Sequence, residues 1–297
     1  MGLNIRDIVP KNEISLDALK GKKLAVDTYI YIHQFLGSMP ELTDSKGRLT
    51  AHLSGLFYRT TQFMSKGLKL AYVFDGPFIE PGNSIKPKRS PQPRTSERVT
   101  DEMVSEAKEL LSALGCPIIQ APAEGEAQCA HMCAKRDVWA TSSQDYDALM
   151  FGSPRLVRYL TLAKKRKLPK GGKAPVTLEL IDLKNTLKTL GINQKQLTML
   201  AMLVGTDFNP GGVFRIGQKK ALDLVKQYKT PKRLFTEIGW DFPYDWEDVY
   251  ELLTKMPITK RYKLKWTKPN KRKIKRIMVS RHDFSEQRID NALARIE

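Results

Sequence analysis

Acidic side chains recur in this chain where short apolar runs end, a placement suited to gripping hard cations. Asp27 closes "KLAVD" (23–27), Asp75 closes "LAYVFD" (70–75), and Asp145 and Asp147 in "SQDYDALMF" follow "VWATS" (138–142) by a few residues. Glu124 and Glu126 come directly after "CPIIQ" (116–120) and open a helical stretch. Acids in a first helical turn are also favoured by the helix dipole, by a few tenths to ~1 kcal/mol, so this pair alone reads equally as capping. Asp207, in "LVGTDFNPGG", ends a helical run, where the same dipole disfavours an acid. Burying such carboxylates uncompensated costs several kcal/mol per ion, and no matching set of basic residues lies near these run ends. Divalent cations resolve the conflict: oxygen-only donors suit Mg²⁺, with Mn²⁺ able to substitute. Two such ions about 4 Å apart activate water and stabilise the leaving oxygen of a phosphodiester. Asp145 and Asp147, two residues apart, are expected to share one side of extended chain. Cys129, His131 and Cys133 are not read as a zinc site, because helix positions i and i+2 point apart and no second ligand pair follows.

These acids need a scaffold that brings distant run ends together. The apolar runs at 23–27, 70–75, 116–120, 138–142 and 155–160 read as buried strands, and helical periodicity fills about 50–66, 99–114 and 124–136 between them. Strand and helix in alternation predict an α/β fold with a mainly parallel central sheet flanked by helices. Ligands in such sheets bind beyond the carboxyl ends of the strands, where these acids fall. From about 179 the pattern becomes consecutive helices, "LELIDLKNTLKTLG" and "NQKQLTMLAMLVG", then the turn "NPGGVFRIG" and the helix "QKKALDLVKQY". Gly191 and Gly205 fall at expected helix C-termini. The predicted division is an α/β half at 1–80, an atypical segment at 81–114, a second α/β half at 115–178, and a helical region at 179–297.

Composition narrows the partner. The 297 residues carry a net charge of +18 with a pI near 9.7, which makes a polyanion the default partner. Three cysteines, Cys116, Cys129 and Cys133, sit in apolar or helical stretches and read as buried thiols of a reducing compartment. No apolar segment approaches the roughly 20 residues of a spanning helix, and no signal pattern opens the chain, so a cytoplasmic or nuclear location without membrane association is expected. Gly2 is followed by Arg6 where myristoylation wants Ser or Thr. Residues 81–98 hold four prolines and five basic residues, and 164–175 form a second basic stretch; neither can pack a core.

The motifs "KLAVD", "YVFDG", "QAPAEGEAQCAHM", "SQDYDALMFGSPRLVRYL", "GTDFNPGG" with "IGQKKALDLV", and "HDFSEQRI" resemble, in order and across nearly the whole chain, those of the flap endonucleases, above all the archaeal members. The resemblance implies the 5′-nuclease, PIN-like fold with a helix-hairpin-helix at about 196–228. It implies Asp27, Asp75, Glu124 and Glu126 around one metal and Asp145, Asp147 and Asp207 around a second. The implied activity is structure-specific 5′ flap cleavage, with 5′–3′ exonuclease activity, in DNA replication and repair. Rival readings are a gap or junction endonuclease and a non-catalytic DNA-binding protein on the same fold. The implied substrate is DNA with a 5′ flap, nick or gap. Gly212, Gly217, Lys219 and Lys220 would grip duplex through the hairpin, where the family often holds K⁺, and Gly2 and Arg59 would also contact DNA. The basic run Lys260 to Arg276 reads equally as duplex support or solvated face.

The chain also departs from that pattern. Prolines in 81–98 forbid the first helix of the family's arch, leaving Lys86 and Arg89 as candidates for the arch's catalytic basic residues, with Lys88 and Arg94 near them and Gly82 where another arch lysine would stand. His33 replaces an aromatic that stacks on a base, and Arg215 stands where glycine is usual. No clamp-docking tail is seen in this sequence, so a sliding clamp is expected as a partner only for a form that carries one, and a monomer is expected.

Overall fold

The computed structural model describes residues 3–82, 99–160, 165–167, 173–175 and 177–296. Gly2, Lys86, Lys88, Arg89 and Arg94, and with them the expectation of a missing arch helix, lie outside the described residues.

After β1 (Asn12–Ile14), the chain runs β2 (Lys23–Asp27), α1 (Thr28–Ser38), α2 (Ala51–Ser65), β3 (Lys69–Phe74), α3 (Asp101–Ala113), β4 (Ile118–Gln120), α4 (Gly125–Ala134), β5 (Ala140–Ser142), α5 (Asp147–Met150) and β6 (Arg155–Arg158). A basic hairpin of β7 (Lys165–Lys167) and β8 (Lys173–Pro175) follows, within a stretch expected to be irregular. Then come β9 (Leu178–Asp182), α6 (Leu183–Leu190), α7 (Gln194–Val204), α8 (Gln218–Tyr228), α9 (Pro231–Ile238) and α10 (Trp246–Thr254). The last elements are α11 (Lys271–Lys275), a π-helical turn over Arg276–Arg281 and α12 (Glu286–Leu293).

The main sheet has the order β1-β9-β6-β5-β2-β3-β4. The β6-β5-β2-β3-β4 pairs are parallel, and β9 and β1 add an antiparallel edge. This is the expected mainly parallel α/β architecture. The segment "LELID", read as the start of a helix, is instead strand β9, so the division expected at 178/179 falls inside a strand. Leu178 and Leu180 pack from one face of the strand and Ile181 is buried on the other, and helical spacing starts only at Leu183.

Period-2 alternation sorts the strands between two layers. Leu24 and Val26 of β2, with Leu70, Tyr72 and Phe74 of β3, enter a core shared with α1, α2 and α3. Ala25, Ala71 and Val73 face the opposite layer, where Cys129, Met132 and Cys133 of α4 pack. Small residues there let α4 lie close. Asp27 continues the parity of Ala25, and Asp75 that of Ala71 and Val73, so the alternation aims both acids toward the α4 side.

Helices α7 to α10 pack into a third cluster, with Leu197, Leu200, Ala221, Val225, Leu234 and Leu252 buried. Beyond Met256 and Ile258, which still pack on it, the chain leaves this cluster. Tyr262, Leu264 and Trp266 pack on the α4 layer, and Ile274, Ile277, Met278 and Ile289 complete the α1–α3 core. Gly191 caps α6 in the left-handed conformation (φ 65°) and Gly205 ends α7, as expected, and all three cysteines are free and buried.

Candidate active site

Strand order reverses at β2: β3 and β4 lie on one side, β5 and β6 on the other. The carboxyl ends diverge at such a switch point, leaving a crevice. Asp27, last residue of β2, is 3 % exposed. It stands at the N-cap of α1 yet makes no capping bond, and its Oδ1 is buried without a hydrogen-bond partner. Asp75 follows β3, and its Oδ1 accepts from the Gly125 N–H at 2.7 Å. A Cβ at residue 125 would lie 2.5 Å from that same oxygen, so glycine is what lets the start of α4 reach the Asp75 carboxylate.

Glu124 stands at the N-cap of α4, where its side chain makes no capping bond. Glu126, buried in the first turn, accepts from the Ser143 hydroxyl at 2.6 Å, and Ser143 directly follows β5. Asp145 and Asp147 do not share extended chain as expected. Tyr146 between them turns (φ −93°, ψ −1°) and Asp147 opens α5, a four-residue helix too short to show periodicity in sequence. The Leu3 N–H reaches both Asp147 carboxylate oxygens, at 3.2 and 3.3 Å. Asp207 lies just past α7, in a turn held by Asn209: its Oδ1 accepts from the Thr206 hydroxyl at 2.6 Å and its amide donates to the Met202 carbonyl at 2.6 Å. Glu124, Glu126, Asp147 and Asp207 line one small pocket with Met150, Phe151, Thr206 and Phe208.

Electrostatics tie all seven acids together. Burial, reinforced by the charges of Asp75 and Asp145 and more weakly of Glu124, pushes Asp27 well above the usual carboxylate range. Burial followed by Asp147, Asp27 and Asp145 does the same to Glu126, and burial followed by Asp145 and Asp207 to Asp147. Asp145 is raised by burial, with partial relief from the Arg158 guanidinium. That guanidinium is already committed to the Gln144 carbonyl (2.8 Å), Glu179 (3.0 Å) and the Tyr146 hydroxyl.

Among the described residues, no group of three or more His, Cys, Asp or Glu side chains stands in a geometry that holds a metal ion as it is. The donor chemistry nevertheless fits hard divalent cations. Every donor is a carboxylate oxygen, one of them is buried and unpartnered, and the Arg158 guanidinium near Asp145 makes its hydrogen bonds to other groups.

The remaining sequence candidates lie apart from this pocket or flank it. His33 sits half-buried on α1, where burial lowers its pKa, and Arg59 on α2 donates to Gln62 at 3.1 Å. Gly212 and Gly217 lie between α7 and α8, with Lys219 and Lys220 exposed in the first turn of α8. A Cβ on Gly212 would meet the Val204 carbonyl carbon at 2.3 Å, so packing requires that glycine; on Gly217 it would meet nothing within 4 Å. Sequence reasoning passed over Gly125, Ser143, Arg158 and the Leu3 amide. A glycine between two glutamates in "EGE" was the available signal for Gly125; contacts as distant as Leu3 to Asp147 leave none.

Residues 4–95 match the XPG N-terminal domain and residues 115–207 the XPG I-region. The chain is 44 % identical to flap endonuclease 1 of Hyperthermus butylicus, covering 100 % of this chain and 94 % of that protein, and 42 % identical to that of Pyrococcus furiosus, covering 100 % and 95 %. The fold superposes on flap endonuclease-1 from Methanococcus jannaschii with a TM-score of 0.84 at 32 % identity, over 99 % of this chain and 98 % of that one. The catalytic core of Rad2 in complex with DNA substrate shares the fold at TM-score 0.77 and 22 % identity, covering 100 % of both chains. With matches of this identity over its whole length, the chain belongs to the flap endonuclease family.

Proposed function

We propose that this protein is a structure-specific 5′ flap endonuclease, with 5′–3′ exonuclease activity, that hydrolyses DNA phosphodiesters with Mg²⁺ at the acid pocket. The observation that carries the reading is the gathering of seven mutually repelling carboxylates at the sheet's switch point, in a chain that aligns end to end with flap endonucleases. A protein that only binds DNA gains nothing from such a cluster, because each negative charge opposes phosphate.

Asp27, Asp75, Glu124 and Glu126 would hold one divalent ion and Asp145, Asp147 and Asp207 the other. When bound, the ions supply an activated water and offset charge on the phosphate and leaving oxygen. The chain's own part is orientation. Ser143 fixes Glu126, the Leu3 N–H fixes Asp147, and the Gly125 N–H fixes Asp75. Arg158 lowers the cost of keeping Asp145 ionised.

Duplex would be held by the hairpin between α7 and α8. Gly217 has an ordinary φ of −85° and open space where a side chain would be, so no intramolecular reason demands glycine there. That space suits a phosphate at the start of α8, flanked by Lys219 and Lys220. Gln218 ties this end to the N-terminal segment, accepting from the Asp7 N–H at 3.1 Å and donating to its carboxylate at 2.9 Å. Arg59 and His33 would contact DNA nearer the cut.

Labelled 5′-flap DNA incubated with Mg²⁺, with Ca²⁺ or with chelator tests the reading. Cleavage near the junction with Mg²⁺ alone, and its loss in Asp147→Asn, is the expected result. Undiminished cutting in chelator would contradict it.

A further inference from the structure

Between α7 and α8 the backbone turns through Val213, Phe214, Arg215 and Ile216, closed by an Ile216 N–H bond to the Val213 carbonyl at 3.0 Å. The base of the turn is fixed: the Val213 N–H donates to the Leu203 carbonyl at 2.8 Å, and Val213 and Ile216 pack against the helical core. The two central residues are treated differently. Phe214 is 82 % exposed, the one large hydrophobic side chain so exposed among the described residues, and the Arg215 guanidinium lies over its ring at 5.0 Å.

Neither choice helps the fold. Arg215 has φ 60° at the third position of the turn, where glycine is unstrained and a residue with a Cβ is not. An exposed phenyl ring gains nothing from burial, and a polar residue would serve the turn as well. A single exposed aromatic is ordinary on a protein surface. Here it is coupled to a strained arginine and comes shortly before Lys219 and Lys220, which lie in a first helical turn without an acid, where the dipole disfavours cations. An apolar ring within a fixed field of positive charge matches a partner that alternates apolar faces with anions.

We propose that Phe214 and Arg215 form a wedge that seats on the duplex held by this hairpin, with the ring against deoxyribose faces at the minor-groove edge and the guanidinium on a phosphate. The proposal rests on the reading of the chain as a DNA nuclease. It adds an apolar, salt-insensitive contact to a grip otherwise made of phosphate contacts. The strained turn presents the pair in advance, so little ordering is needed on binding.

Full-length protein in Ca²⁺, titrated onto fluorescent duplex and onto single strand of equal length over a salt series, tests this. For Phe214→Ala, duplex Kd should rise about fivefold or more at every salt concentration, with the slope of log K against log salt unchanged. For Arg215→Gly, the slope should fall in magnitude by about 1, while Tm holds or rises because glycine accepts the turn. Duplex affinity and slope unchanged in both variants, with the parent still binding duplex, would overturn the wedge and leave the proposed function standing. Weakening confined to single strand would also overturn it. A parent that binds no duplex would remove the nuclease reading and the wedge together.

Discussion

Asp44 and Asp27 are both buried aspartates, 7 % and 3 % exposed, and their surroundings treat them in opposite ways. Burial works against the charge of Asp44, but its donors outweigh burial and hold the carboxyl down to about 2. These are the backbone N–H groups of Arg48 and Lys46 (both 3.0 Å), the Arg48 side chain (2.8 Å) and His282 Nδ1 (3.0 Å). The other His282 nitrogen contacts Glu106 at 2.8 Å, so one imidazole joins the 44–50 loop, α3 and the C-terminal segment. Asp27 has an unpartnered oxygen and two like charges as its main electrostatic neighbours. The first cluster is complete within the folded chain. The second is left short of positive charge within the folded chain, the contrast expected between a structural carboxylate and one that would hold a cation.

The comparison breaks most visibly at Asp147. Asp147→Asn should lower flap cleavage by at least about 10²-fold, yet raise the metal-free Tm at neutral pH, by roughly 2–4 °C for each kcal/mol of repulsion removed. A calorimetric scan beside the cleavage assay checks both; a lower Tm would mean that Asp147 is structurally satisfied. The mirror experiment is His282→Ala, which strands Asp44 and Glu106. A fall in Tm of roughly 10 °C is expected, with Mn²⁺ affinity of the folded protein unchanged.

Acidity separates the two clusters by sign. Asp44 is depressed below its unfolded value of about 3.9, so its stabilisation is present above about pH 4 and is lost as pH falls toward 2. Asp27, Glu126 and Asp147 are raised, so the metal-free protein loses stability as pH climbs above about 4. Thermal scans in chelator should show that descending limb, and Asp147→Asn should flatten it while leaving the acid limb in place.

Smaller effects probe the orienting groups. Gly125→Ala puts a Cβ against the Asp75 carboxylate and should cost cleavage about 10²-fold. Ser143→Ala, which removes one hydrogen bond to Glu126, should cost about tenfold with little change in Tm.

The positions of Asp27, Asp75, Glu124 and Glu126 were legible because strand ends and helix starts leave a strong local imprint: "KLAVD" and "LAYVFD" each show an apolar run closed by an acid. The central strands were legible for the same reason. What escaped was either too short or too ambiguous to leave a period. α5 spans four residues, so Asp145 and Asp147 were placed on extended chain. β9 and α6 run together with leucines that satisfy both spacings at their junction, so the strand was absorbed into the helix. In the basic run after Lys260 the charges of Lys263 and Lys265 mask the period-2 pattern of Tyr262, Leu264 and Trp266 that seats it on the α4 layer. The Asp44–His282–Glu106 hub joins residues up to 238 positions apart, and no local pattern announces it.

Anomalous diffraction from crystals soaked in Mn²⁺ tests the central claim most directly. Two peaks are expected in the crevice beyond β2, one among Asp27, Asp75, Glu124 and Glu126 and one among Asp145, Asp147 and Asp207. A protein that cuts flap DNA under the same conditions with no peak at these carboxylates would contradict the account.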